Sequence, residues 1–292
     1  YRAHYYLDMA QMWEFLPNDV VSSVNLAGND VKGLTVPIVK DGMGEAETRN
    51  NPRVPREEMA AFILEDLDNA EKYISLLGSM SAKTLPDLAV VYGLKARCYM
   101  WLAGEGTSAE ANGYYTKAKE YARKAITAAD VDPMTKDECL STTTGFNDIN
   151  KWMWGVQMVV EDAVVQTGIM NWTSWMSNEA VFGYSAAEPN IMIDASMYAR
   201  LNDTDFRKLM WKAPKGTALY GMTPFIAGGG NLVDYASVKF RPANGDVEEP
   251  NVGAVSAYPL MRVEEMYFIE AEAAAHLGEG ASLLVAFMKN YR

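Results

Sequence analysis

Residues 85–104, LPDLAVVYGLKARCYMWLAG, and 114–129, YYTKAKEYARKAITAA, are the stretches on which the fold turns. Each carries apolar and small residues at helical spacing, and alanine recurs wherever two helices would have to approach closely. Upstream, PREEMAAFILEDLDNAEKYISLLG (55–78) has the same period. Phe62, Ile63, Leu67, Ala70, Ile74 and Leu77 share one side, Pro55 occupies a first-turn position, Glu57 and Glu58 complement the helix N-terminus, and Gly78 closes the run. Before it, YRAHYYLDMAQMWEF (1–15) reads as an aromatic-rich core helix. Leu16 to about Asn51, with four glycines and no strong period, reads as a functional or linking loop.

Within the opening pair, Tyr92, Ala96 and Tyr99 match the aromatic–small–aromatic pattern of a tetratricopeptide first helix, and Ala118 and Ala125 match small positions of its second. Placing the second helix at 114 leaves a connection about ten residues longer than such a repeat uses. After a polar break, STTTGFNDIN, the pattern changes. WMWGVQMVV (152–160) alternates so that Trp152, Trp154, Val156, Met158 and Val160 would share one face of a strand. Residues 161–257 are cut by Pro189, Pro214, Pro224, the triplet Gly228–Gly230, Pro242 and Pro250, and DASMYARLNDTDFRKLMW within them reads as helical in part. Two helices, 260–277 and 280–291, end the chain. The first, RVEEMYFIEAEAAAHLG (262–278), holds four glutamates and a histidine. Glu265, Glu272 and His276 form a narrow strip expected to face water, and Glu265 and Glu272 lie about 10.5 Å apart, too far to share an ion. Glu270 falls inside the apolar arc and calls for a partner such as Arg, because an unpaired buried carboxylate is costly.

The bulk chemistry excludes more than it selects. Of 292 residues, 49% are hydrophobic and 22% charged, as in an ordinary globular chain. A net charge of −12 counts against nucleic acid or an anionic membrane as a partner. Cys98 and Cys139 allow no disulfide framework, and their pairing is not legible. With His4 and His276 as the only histidines, no second Glu-x-x-His element exists for a di-metal bundle. There is no nucleophile elbow, no HExxH and no phosphate loop, so no catalytic residue, metal ligand or cofactor is assigned. A glycosidase would need two carboxylates at catalytic separation, and nothing among 38 acidic residues singles out a pair. The acidic turn NGDVEEPN (244–251) lacks EF-hand spacing and reads as a solvated loop.

One stretch concentrates binding chemistry outside the regular helices: NWTSWMSNEAVFGY (171–184). Aromatic faces stack on sugar C–H faces while amides and carboxylates bond hydroxyls, so Asn171, Trp172, Trp175, Asn178 and Tyr184 are the candidate ligand-binding residues. The competing reading for any one of these rings is core packing, the commoner fate of Trp.

The order of motifs resembles the SusD/RagB family of outer-membrane nutrient-binding lipoproteins. The carriers are RAHYYLDMAQMW, EEMAAFILEDLDNAEKYI, YGLKARCYMWLAG with YYTKAKEYARKAI, WMWGVQM, MYARLNDTDFRKLMW, VKFRP (238–242) and YPLMRVEEMYFIEAEAAAHLG, where Arg262, Glu265, Glu270 and Ala271 fall at the family's R-x-x-E and A-E-A positions. The resemblance implies one SusD-like domain over 1–292, mainly α, with tetratricopeptide-like helix pairs as a scaffold (about 1–15, 55–129 and 258–292). It also implies a loop-rich ligand-binding part with short β-strands, about 150–257. It implies non-enzymatic binding of oligo- or polysaccharide at the bacterial cell surface and delivery to a SusC-like TonB-dependent transporter. The membrane would be met only through a lipid anchor not contained in this chain, which is expected to lack part of both ends. Peptide binding, or a tetratricopeptide-like scaffold for partner proteins, stands as the alternative.

Overall fold

The computed structural model describes residues 1–16, 22–77, 82–104, 106–166, 171–187, 190–225 and 232–292. Gly78, Pro189 and Gly228–Gly230, read above as breaks, lie outside the described residues. In chain order the helices are α1 (Arg2–Trp13), α2 (Glu45–Arg49), α3 (Arg56–Ile74), α4 (Leu88–Ala103), α5 (Ala109–Ala128) and α6 (Lys136–Cys139). They continue with α7 (Ala163–Gln166), α8 (Trp172–Met176), α9 (Ala195–Arg200), α10 (Pro250–Gly253), α11 (Val263–His276) and α12 (Ser282–Tyr291). Two strands, β1 (Trp154–Gln157) and β2 (Ala257–Met261), pair antiparallel. The architecture is mainly α, as read from the helical periods. Among the described residues no helix is long and apolar enough to cross a membrane. The chain divides into two compact units. One comprises Tyr1–Met80, Asp87–Ala129 and Glu265–Leu284; the other comprises Ser81–Pro86, Asp130–Glu264 and Val285–Arg292.

In the first unit α4 packs against both α5 and α3, and α1 packs against α3. Helix α4 is buried on nearly every side, from Val90 and Val91 through Leu94, Ala96 and Cys98 to Trp101, as its near-continuous apolar composition requires. Helix α5 buries Ala111, Tyr115, Ala118, Ala122 and Ala125, a 4-3-4-3 spacing whose small side chains admit a close neighbour. It starts earlier than its sequence indicated. Ser108 accepts a hydrogen bond from the Ala111 N–H at 3.1 Å and so caps the polar first turn, leaving only residues 104–108 as the connection from α4. The tetratricopeptide-like pair is therefore tighter than the sequence reading allowed. At α3, Pro55 is the N-cap residue, and Leu77, expected on the apolar side, is 69% exposed beyond the helix end.

Residues 16–51 are pinned where they are described. Arg53 donates to the carbonyls of Thr35 (2.5 Å), Trp13 and Leu34 (both 2.6 Å), and the Val39 N–H donates to the Tyr6 hydroxyl at 2.8 Å. The buried Glu14 carboxylate takes three donors, two from Arg56 (2.7 and 3.0 Å) and Trp101 Nε1 (2.9 Å), so the ends of α1 and α3 meet on α4.

Helix α11 is a packing helix. Glu270, 6% exposed, is paired with Arg123 of α5, Nε to Oε1 at 2.7 Å. The strip expected to face water is partly engaged as well. Glu265 holds Arg97 of α4 through two bonds of 2.5 and 2.6 Å, and His276 stacks on Tyr115 with ring centroids 4.2 Å apart. Both partners come from segments far away in the chain, so helical spacing alone could not reveal them.

The second unit is built differently. Its strand is shorter than the alternating run 152–160. Trp152, Met153 and Trp154 are all buried in succession, a register irregularity falls between Trp154 and Gly155, and Val160 is 41% exposed. A side chain at Gly155 would meet the Trp152 ring at 2.8 Å, which explains how the two-sided burial is accommodated. Leu260 and Met261, read by sequence as the start of the helix 260–277, belong to β2 instead, Val156 pairing with Tyr258 and Gly155 with Pro259. The core groups Met134, Phe146, Trp152, Phe206 and Met210, rings and thioethers rather than aliphatic stripes. DASMYARLNDTDFRKLMW is helical in part, as α9 and the 3₁₀ turn Phe206–Met210. Cys98 and Cys139 are both free and buried.

Candidate ligand-binding site

Helix α8 is five residues long, below the length at which a helix holds itself together, so its position is set by side-chain bonds at both ends. The Asn171 side-chain Oδ1 caps it, accepting from the Ser174 N–H at 2.8 Å. The Thr173 hydroxyl lies 2.5 Å from the Ser256 hydroxyl, and the Ser174 hydroxyl accepts from the Tyr184 N–H at 2.6 Å. Ser185 donates back to the carbonyls of Ser174 (3.0 Å) and Ser177 (2.6 Å). A seam of short hydroxyls thus locks α8 onto the 3₁₀ turn Gly183–Ala187.

The five candidate residues separate on this frame. Trp172 turns inward: it stacks on Tyr258 (centroids 5.1 Å apart) and meets Phe240 edge-on at 5.3 Å. Among the described residues its indole Nε1 and the Asn171 amide nitrogen are enclosed without a hydrogen-bond partner. Asn178 is a backbone clamp, its amide donating to the carbonyls of Ile191 (2.7 Å) and Ser237 (2.8 Å) and its oxygen accepting from the Ile191 N–H at 2.9 Å. Trp175 and Tyr184 face outward together. They are 50% and 37% exposed, with ring centroids 4.4 Å apart and planes inclined at 38°. That geometry is an open two-ring platform. The Asn171-Trp-Thr match to a glycosylation pattern falls on a residue only 1% exposed.

Between Trp175 and Tyr184 in the chain lies one half of a feature that residue spacing did not reveal. Glu179 and Arg241 form a buried bidentate pair, with bonds of 2.9 and 3.1 Å and side chains 7% and 6% exposed. Burial holds the Glu179 carboxyl above the usual carboxylate range, and the guanidinium only partly offsets it. Arg241 also donates to the Thr142 carbonyl and lies over the Phe225 ring at 4.3 Å, while its own carbonyl accepts from Asn147 at 3.0 Å. The sequence signal was an Arg in VKFRP and a Glu seven residues after Trp172, with nothing local to join them. In the acidic turn, Asp246 caps the N–H groups of Glu248 and Glu249, and Glu249 caps Asn251, so these carboxylates are spent on the turn. Among the described residues no group of His, Cys, Asp and Glu is arranged to hold a metal ion.

Solved structures share this fold. A SusD-like carbohydrate-binding protein from Bacteroides vulgatus superposes over 100% of this chain and 53% of its own, with a TM-score of 0.68 and 23% identity. A SusD superfamily protein from Bacteroides thetaiotaomicron covers 99% of this chain and 57% of its own, at TM-score 0.63 and 15% identity. A third structure, solved with a xylogluco-oligosaccharide, covers 96% and 53% at TM-score 0.58 and 18% identity. The chain spans about half the length of these proteins. No family model and no curated protein matches the sequence. Shared backbone geometry, rather than shared residues, carries the relationship: the chain has the SusD-like fold.

Proposed function

We propose that this chain binds glycans at the bacterial cell surface without chemical turnover, and that it passes them to a SusC-like TonB-dependent transporter. One observation carries the reading: on a SusD-like backbone, Trp175 and Tyr184 present two adjacent exposed rings on a turn held by buried hydroxyls. An aromatic pair left open to water loses little on covering a sugar ring, and the locked turn spares the ordering cost. The carbohydrate-binding neighbour from Bacteroides vulgatus and the neighbour solved with a xylogluco-oligosaccharide support the ligand class. Trp175 and Tyr184 contact the sugar; Asn171, Trp172 and Asn178 hold the platform in place. The ligand part is the loop-rich stretch of about 150–257, within a single SusD-like domain whose helices form the scaffold. Membrane attachment would come from a lipid anchor, placing the protein on the outer membrane facing outward.

Affinity electrophoresis against a panel of soluble polysaccharides tests this directly. Retardation by one glycan is expected, abolished by Trp175→Ala and weakened by Tyr184→Ala, with the fold of both variants intact by circular dichroism. Retardation unchanged in both variants removes the platform from the site. A panel with no retardation, followed by binding to peptides, replaces the glycan reading with peptide capture.

A further inference from the structure

How much of a sugar chain a pair of rings can grip depends on how the rings lie. Consecutive sugars of a chain sit side by side, so stacking two of them takes two rings that also sit side by side, free faces turned the same way. Such rings need centroids roughly 6–7 Å apart, one ring width plus one van der Waals contact. A sugar sandwiched between two facing rings needs roughly 7–8 Å, the span of two contacts. Trp175 and Tyr184 meet neither condition, with centroids 4.4 Å apart and planes inclined at 38°. At that separation one ring lies obliquely over the other, and each covers one face of its neighbour. The faces left free are turned largely away from each other, so only one of them can meet a given sugar.

The surroundings do not lengthen the stack. Among the described residues of the second unit no third aromatic ring is as exposed as Trp175 or Tyr184. Trp172, Phe240 and Tyr258, which could have extended it, pack on one another instead. The two backbones are also tied together. The Tyr184 N–H donates to the hydroxyl of Ser174, the residue before Trp175, at 2.6 Å. Ser185 donates to the carbonyls of Ser174 and Ser177, on either side of Trp175. Drawing the rings apart into a longer flat surface would break those bonds.

On the strength of the glycan binding proposed above, on which this rests, we infer that the platform grips a single sugar ring. Trp175, the larger and more exposed ring, supplies the one stacking face. Tyr184 backs it and meets the same sugar with its edge. The site therefore reads one pyranose at a time, whether at a chain end, on a branch or within a repeat. A longer chain then brings more places to bind but no further stacking contact, so its affinity rises only with the number of its sugars.

The test is calorimetric titration of the intact chain with cello-, xylo-, manno- and malto-oligosaccharide ladders of two to six sugars, with Trp175→Ala alongside. In a ladder that binds, the dissociation constant is expected to fall by no more than about threefold from disaccharide to hexasaccharide, the ratio of available positions. Tightening of about tenfold or more over the same range overturns the one-sugar footprint and leaves glycan binding in place, since further sugars are then gripped. Binding at full strength in Trp175→Ala overturns the footprint as well, because another surface holds the chain. No binding in any ladder removes the glycan reading and the footprint together.

Discussion

The two compact units solve the same problem with different materials. The first buries helix stripes of small and aliphatic residues, Ala118, Ala122 and Ala125 against the flank of α4, and secures its helices with ion pairs such as Arg97–Glu265 and Arg123–Glu270. The second buries few long stripes. It gathers rings, Phe146, Trp152, Phe206 and Phe240, and it satisfies its irregular backbone with hydroxyl and amide side chains. A unit of helices closes its backbone hydrogen bonds locally, so its side chains are free to pack by size. A loop-rich unit must spend side chains on backbone groups, and larger rings then supply the buried area.

This contrast predicts opposite vulnerabilities. Trp152→Ala removes a fully buried ring from the second unit and should cost about 3–5 kcal/mol, read as a shift of the denaturant midpoint by circular dichroism. A loss below about 1 kcal/mol would mean the ring cluster is not a core. On the alanine face of α5 in the first unit truncation has little left to remove, and enlargement is what hurts. Ala118→Leu, at 0% exposure, should cost about 1–3 kcal/mol by overpacking.

One substitution type sharpens the contrast further because its sign changes. Gly253→Ala, in the second unit, places a methyl 2.2 Å from the Asp246 carbonyl oxygen and 3.0 Å from the Phe182 ring, and should destabilise by about 1–3 kcal/mol. Gly113→Ala, within α5 with none of the described residues inside 4 Å, should stabilise by about 0.5–1 kcal/mol. Equal effects of the same sign would show that helix length, not packing, governs both units.

The smallest expected effect is one of pH. His4, buried in α1, is held below its ordinary value by desolvation and by the Arg97 charge, with Asp8 at 3.6 Å opposing. The imidazole is therefore neutral in the folded chain, and the unfolded chain binds its proton first as pH falls below about 6.5. The stability it contributes is present above that value and is lost as pH drops through the folded value. Thermal midpoints from about pH 7.5 to about pH 5 should fall more steeply for the wild type than for His4→Gln. Parallel slopes would remove His4 as the cause.

The same contrast explains what could be read in advance. In α3, α4, α5 and α11 the period of 3.6 repeats several times, so their existence followed from residue spacing, as did the need of Glu270 for a cation. Where the second unit packs three consecutive residues, Trp152, Met153 and Trp154, alternation was a false guide. At the start of α5 the polar first turn hid the helix until the Ser108 cap was seen.

The candidate site shows where that limit falls. Sequence alone determined that rings and amides cluster at 171–184 and that no catalytic motif accompanies them, because composition and spacing are local properties. Only tertiary structure decided that Trp172 stacks on Tyr258 while Trp175, three residues later, stays open beside Tyr184. A ring is buried or exposed according to what the distant chain brings against it. Tyr258 and Phe240 arrive from segments more than sixty residues downstream (about 86 and 68), and no local pattern records their arrival.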